Sequence, residues 1–403
     1  MNAALAVFSP LPPQRSGVAD YVADQITALA KRRRVVAVVS DRRSVRWAND
    51  RGIEAAVHTD FEADPHRRSL PRLYHLGNNL EHEFVYHAAV KTLGVVVLHD
   101  FVLHHLAAAM TLGRSDDVGY AALMRAEFGS EGSLLAEQRG RGLFTDDEQF
   151  LLPLSGAILD RARAVVVHSQ SVRARIRVER PNVCVHRSQL HVGRLAENYV
   201  VDSRAAARRR LGVAPDVFLF ASMGFITRAK QIGTCLRVLA ELRPRLGKFL
   251  YVLGGQRMPG YDVDAEIAAL GLEDVVRVTD YIDLPTFLDY LQASDLVFNL
   301  RWPSAGENSG TLQQALRMGR ATIAYDYGPF ADYPDAVCVK IPCQPDDPEA
   351  LAAAVDRLIR NPTERYRLER RAAEYAHCFE VDLCAENVLE FVERVLGPIR
   401  AAA

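Results

Sequence analysis

Residues 296–326 read LVFNLRWPSAGENSGTLQQALRMGRATIAYD. An apolar run, LVFNL, gives way to a loop rich in Gly, Asn and Ser. GTLQQALRMG follows, and then a second apolar run, ATIAYD. Both runs are continuous rather than alternating, as expected of strands covered on both faces. Between them Leu312, Ala315 and Leu316 fall at helical spacing, and Gly319 supplies the stop. Strand, loop, helix and strand in this order predict a parallel βαβ unit.

The same grammar recurs along the chain. AALAVFS (3–9), RVVAVVSD (34–41), RLYHLG (72–77), GVVVLHD (94–100) and AVVVHS (164–169) form one series of predicted strands. VFLFASMG (217–224), FLYVLGG (249–255), VVRVTDY (275–281), LVFNL and ATIAYD form a second, which AVCVKIP (336–342) closes as the last strand. Helical periodicity fills the gaps; in 16–32, Val18, Val22, Ile26 and Leu29 recur at spacings of three and four. The class is therefore α/β, with two doubly wound Rossmann-like domains. The polar stretch 187–203 marks the junction, so residues 1–197 are expected to form one domain and 198–375 the other. The C-terminal helices from about 376 to 403 are expected to pack back on the first. Residues 104–155, helical with Gly-rich interruptions, read as an insertion over that domain.

Composition narrows the function. With 403 residues, 49% of them hydrophobic and 25% charged, the chain has material for two cores. Its 49 Lys+Arg against 50 Asp+Glu leave a net charge of −1, which disfavours nucleic acid as a partner. The six cysteines show no C-x-x-C pair and no zinc spacing, so free thiols in a reducing cytoplasm are expected. The opening MNAALAVFSPLPP reads as a first strand rather than a signal peptide. No run reaches the roughly 18 apolar residues of a membrane span. The KRRR at 31–34 either closes a helix C-terminus, which the dipole favours, or rests on anionic headgroups at the inner membrane face.

In a doubly wound domain the ligand sits at the carboxyl ends of the strands, so the loops there carry the candidates. SPLPPQRSGVADY (9–21) opens a helix at Ser16-Gly17, where free N–H groups suit an anion. VVVLHDFVLHHL (95–106) puts His99 and Asp100 at a strand end, with His104 and His105 beyond; their spacing matches no zinc motif. GFITRAKQIGTCL (224–236) carries Arg228 and Lys230 at a helix start, an unfavourable place for cations unless an anion offsets them. Glu307 precedes Asn308, Ser309 and Gly310, whose backbone can serve a phosphate while the carboxylate accepts from sugar hydroxyls. The stretch YHLGNNLEHEF (74–84) is dense in hydrogen-bonding side chains.

These residues resemble a family. P-P-x-x-S-G-V-A-x-Y at 12–21, the L-H-D strand end, G-x5-K at 224–230, and G-E-N-S-G followed by a helix and G-R-A-T-I-A look like the retaining glycosyltransferases of family 4 (group 1). The resemblance implies a GT-B fold, two Rossmann-like domains facing each other across a cleft. It implies that Glu307 holds donor-sugar hydroxyls and that Asn308, Ser309 and Gly310 meet the sugar or pyrophosphate. Lys230, helped by Arg228, would neutralise the leaving diphosphate. His99, with Asp100 beside it, would touch the sugar, Gly17 would approach the phosphate, and Tyr281 and Ile282 would cradle the base. An acceptor would bind near Gly17, Asn78, Asn79, His82, His104 and His105. Two positions depart from the family: its second acid, which usually binds the nucleotide ribose, is absent, with Gln313 or Gln314 in that neighbourhood to donate to or accept from ribose hydroxyls, and Phe225 stands where an arginine is usual, a place that Arg228 would fill.

The expected activity is retaining transfer of a sugar from a nucleoside-diphosphate sugar, UDP or GDP, to a carbohydrate or lipid-linked acceptor. No cofactor and no metal are expected, because Lys230 and Arg228 take a metal's place. Location is expected to be cytoplasmic, with peripheral membrane contact as an option. A nucleotide-sugar epimerase or phosphorylase on the same fold, and a non-catalytic nucleotide-sugar binder, are the alternatives.

Overall fold

The computed structural model describes residues 4–145, 147–195, 199–344 and 348–398. By its internal contacts the chain forms two units. The first runs through His191 and takes in 305–308 and the stretch from Val381 onward; the second holds Val192–Ser304 and Ser309–Glu380.

The first unit is a seven-stranded sheet of β1 (Leu5–Phe8), β2 (Val35–Val39), β3 (Glu54–Val57), β4 (Arg72–Leu76), β5 (Val95–Leu98), β6 (Ala164–Val167) and β7 (Val185–Arg187). Its order is β3-β2-β1-β4-β5-β6-β7, and every pairing is parallel. Successive side chains alternate between faces. Ala6, Phe8, Val36, Val38, Tyr74, Leu76, Val96 and Leu98 enter one core, and Leu5, Val7, Val35, Ala37, Leu73, Val95 and Val97 the other. Both faces are dry, which is why the runs are apolar without interruption. Each fully buried Val, Leu or Phe contributes about 1.5–3 kcal/mol.

The second unit is a six-stranded parallel sheet of β8 (Phe218–Met223), β9 (Phe249–Gly254), β10 (Val276–Val278), β11 (Leu296–Phe298), β12 (Thr322–Tyr325) and β13 (Val339–Ile341). Its order is β10-β9-β8-β11-β12-β13. The two Rossmann-like units are the α/β, GT-B class expected from the sequence.

Two strands escaped the sequence reading. β3 and β7 lie at the two ends of the first sheet and are only partly buried. β3 opens with Glu54, paired to Arg34 and Arg67. An edge strand needs fewer apolar residues, so EAAV and VHR carry a weak signal.

The helix Val381–Leu396 packs on the helix Gly17–Ala30, joining Val381, Ala385, Val388, Leu389 and Val392 to Val22, Ile26 and Leu29. The KRRR charges meet carboxylates within this unit: Lys31 and Arg32 meet Asp382, Arg32 also Glu386, Arg33 Glu393, and Arg34 Glu54. The boundary drawn at 197/198 lies outside the described residues. The first unit's contacts end at His191, because Val192 is already tied to the second: its N–H donates to Phe379 and its side chain packs with Leu312, Leu316 and Phe330.

Strand order reverses at one point in each sheet, between β1 and β4 in the first and between β8 and β11 in the second. The loops after those strands flank the crevice where doubly wound folds bind ligands. They carry Gly17 and Asn78-Asn79 in the first unit, and Lys230, residues 299–304 and Ser309 in the second. Among the described residues no helix is long and apolar enough to cross a membrane.

Candidate active site

In the second unit, β8 ends at Met223 and the chain turns at Gly224, whose φ of +85° a side chain would strain. Space forbids one too: a Cβ there would lie 2.9 Å from Lys230 Nζ and 3.6 Å from Thr311 Oγ1. Gly224 thus lets the lysine ammonium and the start of the helix Gly310–Arg317 converge. Lys230 Nζ donates to the Met223 carbonyl at 2.6 Å. The residue is half-buried, but its ammonium end is enclosed. That burial, and next the nearby charge of Arg301, hold its pKa well below the ordinary lysine value.

The helix itself is capped by Ser309, whose Oγ accepts from the Leu312 N–H at 3.1 Å and donates to Asn299 Oδ1 at 2.9 Å. Ser309 is buried, so its hydroxyl is structural. Gly310, the first helical residue, is exposed, and a Cβ there would meet no atom within 4 Å. Neither packing nor a positive φ demands glycine at this point. Its value is open access to the helix N-terminus.

Gly306, at φ +83°, would place a Cβ 2.8 Å from that of Phe101. With the Val102 N–H donating to Ala305 at 2.9 Å, it seats 305–308 on the turn after β5, which carries His99 and Asp100. Glu307 and Asn308 are half-buried there.

Two donor assignments land differently. Gln313 Nε2 donates to Tyr333 Oη and Gln314 Nε2 to the Gly193 carbonyl, each at 3.2 Å. Both side chains are buried, so the amide nitrogen proposed for a ribose is committed inside the protein. Tyr281 and Ile282 follow the edge strand β10; Tyr281 is exposed, while Ile282 packs toward the core. Arg228 is exposed, and its side chain makes no hydrogen bond or ion pair among the described residues.

The first unit's edge is a closed network. The Ser188 carbonyl can only accept, so His168 Nδ1 carries its proton toward it at 2.8 Å. In neutral rings His168 Nε2 then accepts from His99 Nδ1 at 3.3 Å, and His99 Nε2 accepts from His75 Nδ1 at 3.1 Å. His99 therefore spends both ring nitrogens on other imidazoles and has none turned to a sugar. Tyr21 stacks on His191 at 3.9 Å and meets the His99 ring edge-on. Burial depresses the whole group: His75 and His99 titrate well below the usual range, His82 and His168 at about 4.

His82 and His104, expected to face an acceptor, are fully buried. His82 Nδ1 donates to the His75 carbonyl at 3.0 Å. His104 bridges the Leu152 carbonyl and Tyr120 Oη. This burial removes both from any acceptor surface. Asn78 is a strut: its N–H donates to Asp100 Oδ2 at 2.8 Å, its Oδ1 accepts from Leu106 N and its Nδ2 meets His105. Of the residues expected near an acceptor, Asn79 and Gly17 are exposed. Gly17 opens its helix with no atom within 4 Å of a Cβ. Among the described residues no group of three or more His, Cys, Asp or Glu is placed to hold a metal ion.

The sequence reading passed over Arg301. It is half-buried, its Nε is enclosed without a hydrogen-bond partner, and its charge acts on Lys230. The signal was present as a basic residue directly after β11, on the loop that flanks the strand reversal.

Comparison with known proteins gives relatives for the chain and for its fold. The chain is 29% identical over 239 residues to a D-inositol 3-phosphate glycosyltransferase of Streptomyces avermitilis, covering 56% of this chain and 48% of the relative. It thus spans about half the length of that protein. Its fold superposes on sucrose-phosphate synthase from Thermosynechococcus elongatus with a TM-score of 0.67 at 17% identity, covering 98% of this chain and 99% of the other. Alr3699/HepE of Anabaena, solved in complex with UDP and glucose, gives 0.63 at 13% identity, covering 97% and 100%. Residues 203–376, most of the second unit, match the family described as Glycosyl transferases group 1.

Proposed function

We propose that this chain transfers a glycosyl group from a nucleoside-diphosphate sugar to a hydroxyl of a carbohydrate or lipid-linked acceptor, with retention at the anomeric carbon. One observation carries the reading. An enclosed lysine ammonium and an open helix N-terminus converge over Gly224, and among the described residues no carboxylate pairs with the lysine. Such a site is unfinished without an anion. A diphosphate supplies it, and the UDP and glucose bound by the Anabaena protein favour UDP.

In the reaction the bond from the anomeric carbon to the diphosphate oxygen breaks as the acceptor oxygen bonds on the same face. The acceptor's proton passes to an oxygen of the departing diphosphate, so a nucleoside diphosphate and a glycoside leave. Positive charge develops on the sugar and negative charge on the leaving group. Lys230 and the Gly310 N–H stabilise the latter, in the role a divalent metal would otherwise fill. Glu307 accepts from donor-sugar hydroxyls.

The inward-turned Gln313 and Gln314 favour one second reading, a binder of nucleotide sugars without turnover. Incubation with UDP- and GDP-sugars, with and without EDTA, separates the two. Release of nucleoside diphosphate that depends on acceptor and survives EDTA supports the transferase. Tight binding without release supports the binder.

A further inference from the structure

Two cations on neighbouring loops at the strand reversal of the second unit lack a carboxylate. Lys230 is the first. Arg301 is the second, and its guanidinium makes no hydrogen bond or ion pair among the described residues. Its position is fixed, not splayed into solvent. The next residue, Trp302, donates its N–H to the Ala229 carbonyl at 2.8 Å and accepts from Gln231 Nε2 at 2.8 Å. The Trp302 ring meets Tyr327 edge-on at 5.3 Å. The loop bearing Arg301 is thus stitched to the loop bearing Lys230.

Arg228, in contrast, is exposed. Asn299, two residues before Arg301, is buried, and its Nδ2 also lacks an acceptor. Buried N–H donors without acceptors are rare in folded proteins. The unpaired Arg301 guanidinium, whose charge acts on Lys230, and the lone ammonium call for one shared anionic ligand. Phe225, the residue after Gly224, is exposed and apolar, so no cation stands at that position of the Gly224 loop.

We infer that Arg301, on the loop after β11, supplies the second cation to the diphosphate, standing in for the arginine that the Gly224 loop lacks at Phe225. The inference rests on the nucleoside-diphosphate reading above and goes beyond it by assigning a residue. Guanidinium is suited to the task because its fixed fork engages two phosphate oxygens at once.

Calorimetric titration with inorganic pyrophosphate and with UDP and GDP tests it on wild type, Arg301→Met and Arg301→Met/Phe225→Arg. Arg301→Met should bind pyrophosphate and nucleoside diphosphate about 10- to 100-fold more weakly, with a shallower salt dependence. The double variant should recover part of the loss. Tm of the unliganded Arg301→Met protein should stay level or rise, because an unpaired charge has been removed; a falling Tm would indicate a merely structural arginine. Unchanged affinity in Arg301→Met overturns the inference and leaves the transferase reading intact. Arg301-dependent pyrophosphate binding without nucleotide binding keeps the inference and sinks the nucleotide reading. Binding of neither ligand by wild type overturns both.

Discussion

The carboxyl edges of the two sheets use polar residues in opposite ways. In the first unit His75, His99 and His168 bond to one another, His82 and His104 to backbone and tyrosine, and Asn78 to the helix beyond it. Most of the polarity is consumed internally. In the second unit, among the described residues, Lys230 Nζ donates to a carbonyl without a carboxylate partner, and the Arg301 guanidinium makes no hydrogen bond or ion pair. The lesson is that density of polar side chains marks a hydrogen-bonded scaffold, whereas mismatch of charge marks a place for a ligand.

Substitutions should separate the edges by what they damage. The largest effect is expected from Lys230→Ala, which should lower turnover about 10²- to 10³-fold while leaving Tm level, read from nucleoside-diphosphate release. His168→Ala should do the reverse. It orphans the Ser188 carbonyl and the His99 N–H, so denaturant unfolding should show a loss of about 2–4 kcal/mol. A His168→Ala protein of normal stability but no activity would break the comparison and move the histidines to the reacting site.

Acid should probe the same network. His82, His104 and His168 titrate at about 4 when folded, below the 6.5 of an unfolded histidine. Between those values the unfolded state binds more protons, so stability rises with pH across this window and levels off above it. A Tm profile flat from about pH 4.5 to 7 would contradict the neutral-imidazole assignment. Ser309→Ala should cost about 1–2 kcal/mol by uncapping its helix, measured by thermal unfolding. Asn79→Ala is expected to change stability by less than about 0.5 kcal/mol; a rise in acceptor KM for this variant would sharpen the picture by marking one exposed acceptor contact.

Sequence patterning revealed the strands that are buried on both faces, because continuous apolar runs have few other uses. β3 and β7 were hidden by their edge positions. At the site, Lys230 and Gly310 were legible from spacing alone, since a strand, a glycine and a cation at a helix start form a local pattern. His82 and His104 were read as acceptor contacts because one-dimensional text does not reveal which face of a strand end is sealed. Arg301 was missed for the converse reason. Its meaning comes from what it lacks, and a missing partner is visible only in three dimensions.

The central claim is that the loops flanking β8 and β11 hold a diphosphate through Lys230. Calorimetric titration of wild type and Lys230→Ala with UDP, GDP, ADP and dTDP tests it most directly. One nucleotide should bind wild type at least about 30-fold more tightly than the variant. Its binding should also take up protons between the depressed lysine pKa and the ordinary one, because the bound anion restores the charged form. Equal affinity for both proteins, with no proton uptake, would contradict the account.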